Sequence, residues 1–207
     1  HADNPAKYVN SPETEIYVKS RNLLGIWFAK AEIARSGKCI LVEGNVDMVT
    51  LHQLGITNVV ASCGTSLTVE QIRLIHKFTD NATIMYDGDS AGIHAALRGI
   101  NLFLAEGLNV KIVLLPEGED PDSYSRKHTL AEVQDYILSS EQDFIGFKTD
   151  LLLGEAGDDP IRRANLINDI ADTIALIPDA VKRSVYVESC SRKFNIEPSI
   201  LFARIRS

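Results

Sequence analysis

Two aspartates separated by one glycine follow an apolar run in "MYDGDSAG" (85–92). The carboxylates of Asp87 and Asp89 repel each other, because like charges about 4 Å apart cost on the order of 4 kcal/mol at an effective dielectric near 20. Carboxylates held together either keep extra protons or bind a cation, and Mg²⁺ or Mn²⁺ is the hard divalent ion that prefers oxygen ligands. Two further segments carry paired acids, which are Glu43 and Asp47 in "VEGNVD" and Asp120 and Asp122 in "EGEDPD". These six acids predict a divalent metal site.

The segments around these acids predict alternating strands and helices. Apolar runs predict strands over 38–44, 58–62, 82–87 and 109–116. Helical spacing covers 46–55, 67–80 and 90–107, and Thr68 with Gln71 has the pattern of a capping box. Such alternation indicates a mostly parallel sheet covered by helices, in which the carboxyl ends of the strands share one edge. The acids follow those ends, so we expect them to meet, with Gly44 and Gly88 allowing close approach of backbone and phosphate.

Beyond residue 128 the strand signals stop and the sequence reads as helix after helix. The predicted fold class is therefore α/β, Rossmann-like, followed by an all-helical subdomain. We expect three parts: a basic leading segment and helix over 1–36, a sheet domain over 37–128 and a helical subdomain over 129–207. The apolar stripes of the last part are explained by packing against the sheet domain.

Bulk properties narrow the functional classes. The net charge of −7 argues against a surface coated for nucleic-acid binding, although residues 1–40 hold six Lys or Arg against four acids. No apolar run approaches the roughly 20 residues of a membrane span, so we expect no membrane association. Three widely spaced cysteines form no disulfide framework, which favours a cytoplasmic protein. The chain begins with His1 rather than Met, and we expect it to be part of a longer protein.

Other features of the sequence favour structural interpretations. "DGDSAG" resembles the start of a calcium loop, but Ala91 and Arg98 replace required ligands, which excludes an EF-hand. Trp27 and Phe28 are expected on a buried helix face. The turn "CGTS" (63–66) is either a phosphate-contacting turn or an ordinary tight turn.

Three motifs, "VEGNVD", "MYDGDSAG" and "LLPEGEDPD", resemble the acidic motifs of the TOPRIM fold, which primases, topoisomerases and some nucleases share. The flanking segments "KYVNSPET" (7–14), "ASCGTSLT" (61–68) and "LLPEGEDPDSY" (114–124) resemble the bacterial DnaG-type DNA primases. The resemblance runs from about Lys7 to Lys127. It implies a DNA-directed RNA polymerase that makes RNA primers on single-stranded DNA from ribonucleoside triphosphates by metal-dependent nucleotidyl transfer.

The resemblance also implies roles for particular residues. Glu43, Asp87 and Asp89 match the central catalytic metal ligands, and Asp47, Asp120 and Asp122 would complete the acidic site. A set of residues matches regions that contact template or nucleotide: Lys7, Tyr8, Asn10, Lys19, Arg21, Gly64 and Thr65.

Three alternatives remain at this point: a TOPRIM nuclease, a topoisomerase fragment, and a metal- or nucleotide-binding module without turnover. A topoisomerase needs a nucleophilic tyrosine, and none of Tyr8, Tyr86 or Tyr136 has a supporting context. If the chain is a primase fragment, we expect it to be monomeric and weakly active alone. The family also implies a replicative helicase as partner, contacted through a domain absent from this chain.

Overall fold

A computed structural model describes Leu23 and residues 25–62, 67–87 and 89–207. Within them, strands alternate with helices as far as residue 127, as the sequence predicts. The strands of this part are β1 (Cys39–Val42), β2 (Val59–Ala61), β3 (Asn81–Tyr86) and β4 (Asn109–Leu114). The helices are α1 (Ile26–Ser36), α2 (Asn45–Leu54), α3 (Val69–His76), α4 (Ser90–Ala105) and α5 (Pro121–Lys127). The predicted capping box of α3 is confirmed, since Thr68 accepts from the main-chain N–H of Gln71 while the Gln71 side chain accepts from that of Thr68.

The strands form one sheet in the order β2-β1-β3-β4, in which each pair of neighbours is parallel. Parallel strands are joined by helices that cross a face of the sheet, and both faces are therefore covered. Alternate residues of each strand enter opposite apolar layers: Ile40 and Met85 pack beneath α2 and α5, whereas Leu41 and Ile84 pack beneath α1, α3 and α4. The mostly parallel α/β architecture predicted from the sequence is confirmed.

The rest of the chain is helical apart from one short strand. The helices are α6 (Leu130–Ser140), α7 (Phe144–Ala156), α8 (Pro160–Ala175), α9 (Ala180–Phe194) and α10 (Pro198–Arg206). β5 (Gln142–Asp143) adds an antiparallel edge to β4, which the sequence did not predict because two polar residues carry no strand pattern. In the part of the chain that the structure describes, no helix combines the length and apolarity needed to cross a membrane.

The helical part and the sheet share one apolar core. Phe144, Ile170 and Phe194 are buried in the same cluster as Ile112 of β4. Burial of these side chains stabilises the contact between the two parts, which agrees with the packing role expected for the helical segment.

One expectation about α1 is wrong. Trp27 and Phe28 are 76% and 84% exposed, and the buried face of the helix carries Ile26, Ala29 and Ile33 instead. The helical period explains the difference, because positions i, i+3 and i+7 share one face and the two aromatic residues fall outside it. Lys30 places its ammonium 4.2 Å from the centre of the Trp27 ring, so the aromatic pair lies among solvated side chains.

Candidate metal site at the carboxyl edge of the sheet

The acids that follow β1 and β3 lie at one edge of the sheet. The two strands are parallel neighbours, and they end at Val42 and Tyr86. Glu43 and Asp87 are the next residues along the chain. The pKa of Glu43 is raised, mainly by burial and further by the negative charge of Asp87. The structure thus brings together these two acids, as expected from the strand ends.

Asp87 lies within the electrostatic reach of two more acids. Burial raises its pKa first, and the charges of Asp120 and Asp89 raise it further. Asp120 comes from the loop between β4 and α5, and it also caps α5 by accepting from the main-chain N–H of Ser123 at 2.7 Å. Acids from the β3 and β4 strand ends are therefore coupled at the same edge.

Asp47 joins this cluster from the first turn of α2. Burial raises the pKa of Asp47 to about 6, with the main-chain N–H groups of Asp122 and Gly44 lowering it and the charges of Asp120 and Asp87 raising it. The carboxylate of Asp47 is half-buried and accepts hydrogen bonds, yet burial and the neighbouring negative charges still disfavour its ionised form. Carboxyl groups with raised pKa values cluster at functional sites, which favours a cation-binding role for these acids over a purely structural one.

Gly44 allows the carboxylate of Asp47 to approach the main chain. A Cβ atom at Gly44 would lie 2.6 Å from Oδ2 of Asp47, a separation that real Cβ atoms essentially never show. The backbone conformation of Gly44 is ordinary extended, so the torsion angles do not require glycine, and an added Cβ would only force the Asp47 side chain to move. The sequence predicted close approach at Gly44, and the group that approaches is the carboxylate of Asp47.

Asp122 is placed differently from the other acids. Its Oδ1 accepts hydrogen bonds from Oγ1 of Thr50 at 2.5 Å and from Nε of Arg126 at 2.8 Å. Its main-chain N–H donates to Oδ1 of Asp47 at 3.0 Å. Asp122 therefore joins α5 to α2, and it touches the acidic cluster through its backbone.

The donor set of this edge suits a hard divalent cation. Its side chains offer carboxylate oxygens, which are the ligands of Mg²⁺ and Mn²⁺. Among the described residues, no three Asp, Glu, His or Cys side chains are close enough together to hold a metal ion as they stand. Glu43 and Asp87 are only partly buried and, like Asp89, keep much of their surface in solvent, so these carboxylates can change rotamer without repacking the core. The fit therefore rests on the chemistry of the donors and on the mutual repulsion that a cation would relieve.

Several residues predicted from the resemblance lie outside the described residues. They are Lys7, Tyr8, Asn10, Lys19, Arg21, Gly64 and Thr65. Gly88 and Cys63 also lie outside them, whereas Cys39 is buried as a small core residue.

Sequence reasoning missed Thr50 and Arg126 because neither is an acid. The signal that could have found Thr50 is its spacing, since it stands three residues after Asp47 and therefore shares a face of α2 with it. Arg126 stands four residues after Asp122 on α5, the spacing of a helical ion pair.

Two family models match this chain. The Toprim-like family matches residues 40–125, the part that contains the acidic edge. The DnaB-helicase binding domain of primase matches residues 147–199, within α7 to α10. The second match lies inside the chain, whereas the resemblance had implied a helicase contact through a domain absent from it.

Comparison with relatives and with solved structures also finds DNA primases. The chain is 35% identical over 211 residues to the DNA primase of Clostridium acetobutylicum, covering 97% of this chain and 33% of that protein. It superimposes on a DNA primase domain from Pseudomonas aeruginosa with a TM-score of 0.88 at 28% identity, covering 100% of this chain and 66% of that one. It matches a DnaG primase catalytic domain bound to ssDNA with a TM-score of 0.84 at 31% identity, covering 96% and 64%. The chain spans about a third of the length of the curated relatives that it matches.

The parallel sheet with acids at the ends of its strands, together with the match over 40–125, defines a Toprim-containing protein. The agreement over nearly the whole chain is more specific. The chain belongs to the DnaG-type DNA primases and corresponds to the Toprim-containing and helical parts of their catalytic core.

Proposed function

We propose that this chain is part of a DNA-directed RNA polymerase that makes short RNA primers on single-stranded DNA for replication. The observation that carries the proposal is the group of coupled carboxylates from Glu43, Asp87 and Asp89 at the carboxyl edge of a primase-type sheet. Ligands of open parallel sheets bind at this edge. The activity belongs to a longer polypeptide, of which this chain would supply the acidic half of the active site.

The carboxylates would hold Mg²⁺ or Mn²⁺. Glu43, Asp87 and Asp89 are the central ligands in this proposal, and Asp47 and Asp120 extend the acidic site from α2 and from the β4–α5 loop. The raised pKa values of Glu43, Asp47 and Asp87 support it, because burial first and the charges of neighbouring acids second disfavour each ionised carboxylate, and a bound cation would offset both effects. Asp122 belongs to the same proposed site, and its main-chain N–H connects it to Asp47.

The reaction is the attack of a primer 3′-hydroxyl on the α-phosphate of a ribonucleoside triphosphate, with pyrophosphate leaving. A divalent ion supplies the positive charge that lowers the pKa of the hydroxyl and offsets the charge of the phosphoryl oxygens. The chain's own residues position that charge and exclude alternative geometries, and no covalent protein intermediate is needed. Gly44 leaves room for the Asp47 carboxylate against the main chain, where the N–H groups of Asp122 and Gly44 orient it.

Template and nucleotide contacts are proposed from the resemblance. Lys7, Lys19 and Arg21 would neutralise phosphates of the single-stranded template, and Gly64 and Thr65 would contact nucleotide phosphates; these residues lie outside the described ones. Binding through phosphate contacts weakens as salt rises. One structural relative is described as bound to ssDNA, which supports single-stranded DNA as the template.

A replicative helicase is the proposed protein partner. The match of residues 147–199 to a helicase-binding domain of primase supports a contact through α7 to α9. We also propose that 37–128 and 129–207 act as the Toprim and helical parts after a leading segment over 1–36, and that the protein works in the cytoplasm, as its relatives named DNA primases suggest.

The proposal is tested by titrating Mn²⁺ into the chain and into its Asp87→Asn variant by calorimetry. The same samples then receive single-stranded DNA and labelled ribonucleotides. We expect the unaltered chain to bind Mn²⁺ and to make a small amount of RNA, and the variant to lose both. Asp158→Asn serves as control, because Asp158 is an exposed acid after α7 and far along the chain from the acidic edge.

Three other outcomes would favour a different function or refute the site. Metal binding without RNA would favour a binding module that needs the rest of its polypeptide for turnover. Cleavage of the DNA would favour a Toprim nuclease. Full activity of Asp87→Asn would refute the assignment of the site.

A further inference from the structure

Helices α2 and α5 pack side by side at the acidic edge and hold residues that the reaction needs. Asp47 and Thr50 stand three residues apart on α2 and share the face that meets α5. Asp122 is the second residue of α5, after its N-cap Asp120. The N–H groups of a first helical turn have no partner inside the helix, so the main-chain N–H of Asp122 is available to an outside acceptor.

Two hydrogen bonds connect Thr50 with Asp47 through Asp122. Thr50 Oγ1 donates to Asp122 Oδ1 at 2.5 Å, and Asp122 N–H donates to Asp47 Oδ1 at 3.0 Å. The first bond fixes the start of α5 against α2, and the second fixes the orientation of the Asp47 carboxylate. Gly44 leaves this position of the carboxylate open, because a Cβ atom there would lie 2.6 Å from Oδ2 of Asp47.

Thr50 is a less exposed donor to Asp122 than Arg126 is. Arg126 also donates to Oδ1 of Asp122, but its side chain is 67% exposed and the pair has the i, i+4 spacing of a surface ion pair. Pairs of this kind contribute little and are screened by salt. Thr50 is only partly exposed, and its β-branched side chain has few rotamers in a helix. The helix therefore leaves the hydroxyl few positions, and in the observed one it donates to Asp122.

We infer that Thr50 is a positioning residue for the acidic site, acting through Asp122 on the carboxylate of Asp47. The inference rests on the proposed function, because Asp47 is a member of the proposed metal site. Groups that orient metal-binding carboxylates affect affinity without touching the ion, and losing one typically costs 10–100-fold in affinity.

The test compares Thr50→Val with Thr50→Ser. Valine has nearly the shape of threonine without the hydroxyl, and serine keeps the hydroxyl. Mn²⁺ affinity is measured by calorimetry, amide exchange at Asp122 by NMR without metal, and the free energy of unfolding in urea. We expect Thr50→Val to weaken Mn²⁺ binding about tenfold and to speed exchange of the Asp122 amide about three- to tenfold. Thr50→Ser should keep most of the wild-type Mn²⁺ affinity and most of the wild-type protection of the Asp122 amide.

The outcomes separate the inference from the proposed function. Wild-type binding of Mn²⁺ that is lost in Asp87→Asn but unchanged in Thr50→Val would overturn the inference and leave the metal site standing. A Thr50→Val variant that loses only unfolding free energy, with affinity and Asp122 exchange unchanged, would also overturn it, because a merely structural residue behaves so. Absence of Mn²⁺ binding by the wild-type chain would overturn both.

Discussion

Replacing Asp87 with asparagine should make the metal-free protein more stable. The charge of Asp87 adds to those of Glu43, Asp89 and Asp120, and its raised pKa shows that its ionised form is disfavoured in the folded state. Because Asp87 is exposed, solvent screening reduces the repulsion to about 0.5–1 kcal/mol. For a chain of this size, that gain corresponds to a rise of about 1–4 °C in Tm.

The same substitution should abolish stabilisation by metal. A ligand at about 100 times its Kd stabilises the folded state by about 2.7 kcal/mol, which raises Tm by about 5–10 °C. We expect this rise for the unaltered chain in Mn²⁺ and not for Asp87→Asn. Thermal unfolding followed by circular dichroism, with and without Mn²⁺, measures both effects.

The dependence of folding stability on pH and salt tests whether the ionised carboxylates destabilise the metal-free chain. A carboxyl group whose pKa is raised by folding disfavours the folded state at neutral pH, so the metal-free chain should become more stable as pH falls through that pKa. The gain from Asp87→Asn should shrink at about 1 M salt, where the Debye length is about 3 Å. The control Asp158→Asn should show neither effect. An Asp87→Asn protein that is less stable without metal, or that keeps the Mn²⁺ shift, would refute the reasoning.

Four more predictions follow from the structure. Gly44→Ala should weaken Mn²⁺ binding in calorimetry while leaving far-UV circular dichroism unchanged, because the new Cβ displaces the Asp47 carboxylate but suits the extended backbone; unchanged affinity would contradict this. Mn²⁺ affinity should fall as pH drops from 7.5 through about 6, the raised pKa of Asp47, because protons compete for that carboxylate; calorimetry at several pH values would show a flat profile if this is wrong. Thr129→Ala should cost about 1 kcal/mol of unfolding free energy in urea, because Thr129 and Glu132 form the capping box of α6, and an equal loss in metal affinity would argue against its being a cap alone. Phe144→Ala should cost about 3–5 kcal/mol in the same assay, because Phe144 is 0% exposed in the core shared by sheet and helices; a loss below 1 kcal/mol would contradict that shared core.

Local patterns in the sequence were enough to predict most elements. The apolar runs of β1 to β4 and the helical spacing between them reflect contacts within a few residues, and so does the capping box of Thr68 and Gln71. The patterns were insufficient to predict a very short strand and to tell which face of α1 is buried. The two residues of β5 are too few to show a period. The apolar character of Trp27 and Phe28 predicted that they are buried, but a different face of α1 packs against the core.

The sequence is sufficient to show that acids follow the strands, and parallel strands of an α/β sheet present their carboxyl ends at one edge. It therefore gave the neighbourhood of Glu43, Asp87 and Asp120. Which atom of each residue lies in that neighbourhood depends on how the elements pack. Asp122 turns its carboxylate to Thr50 and its N–H to Asp47, residues 72 and 75 positions away along the chain. Such pairings depend on how α2 and α5 pack, and side-chain packing between distant elements leaves no periodic signal in the sequence.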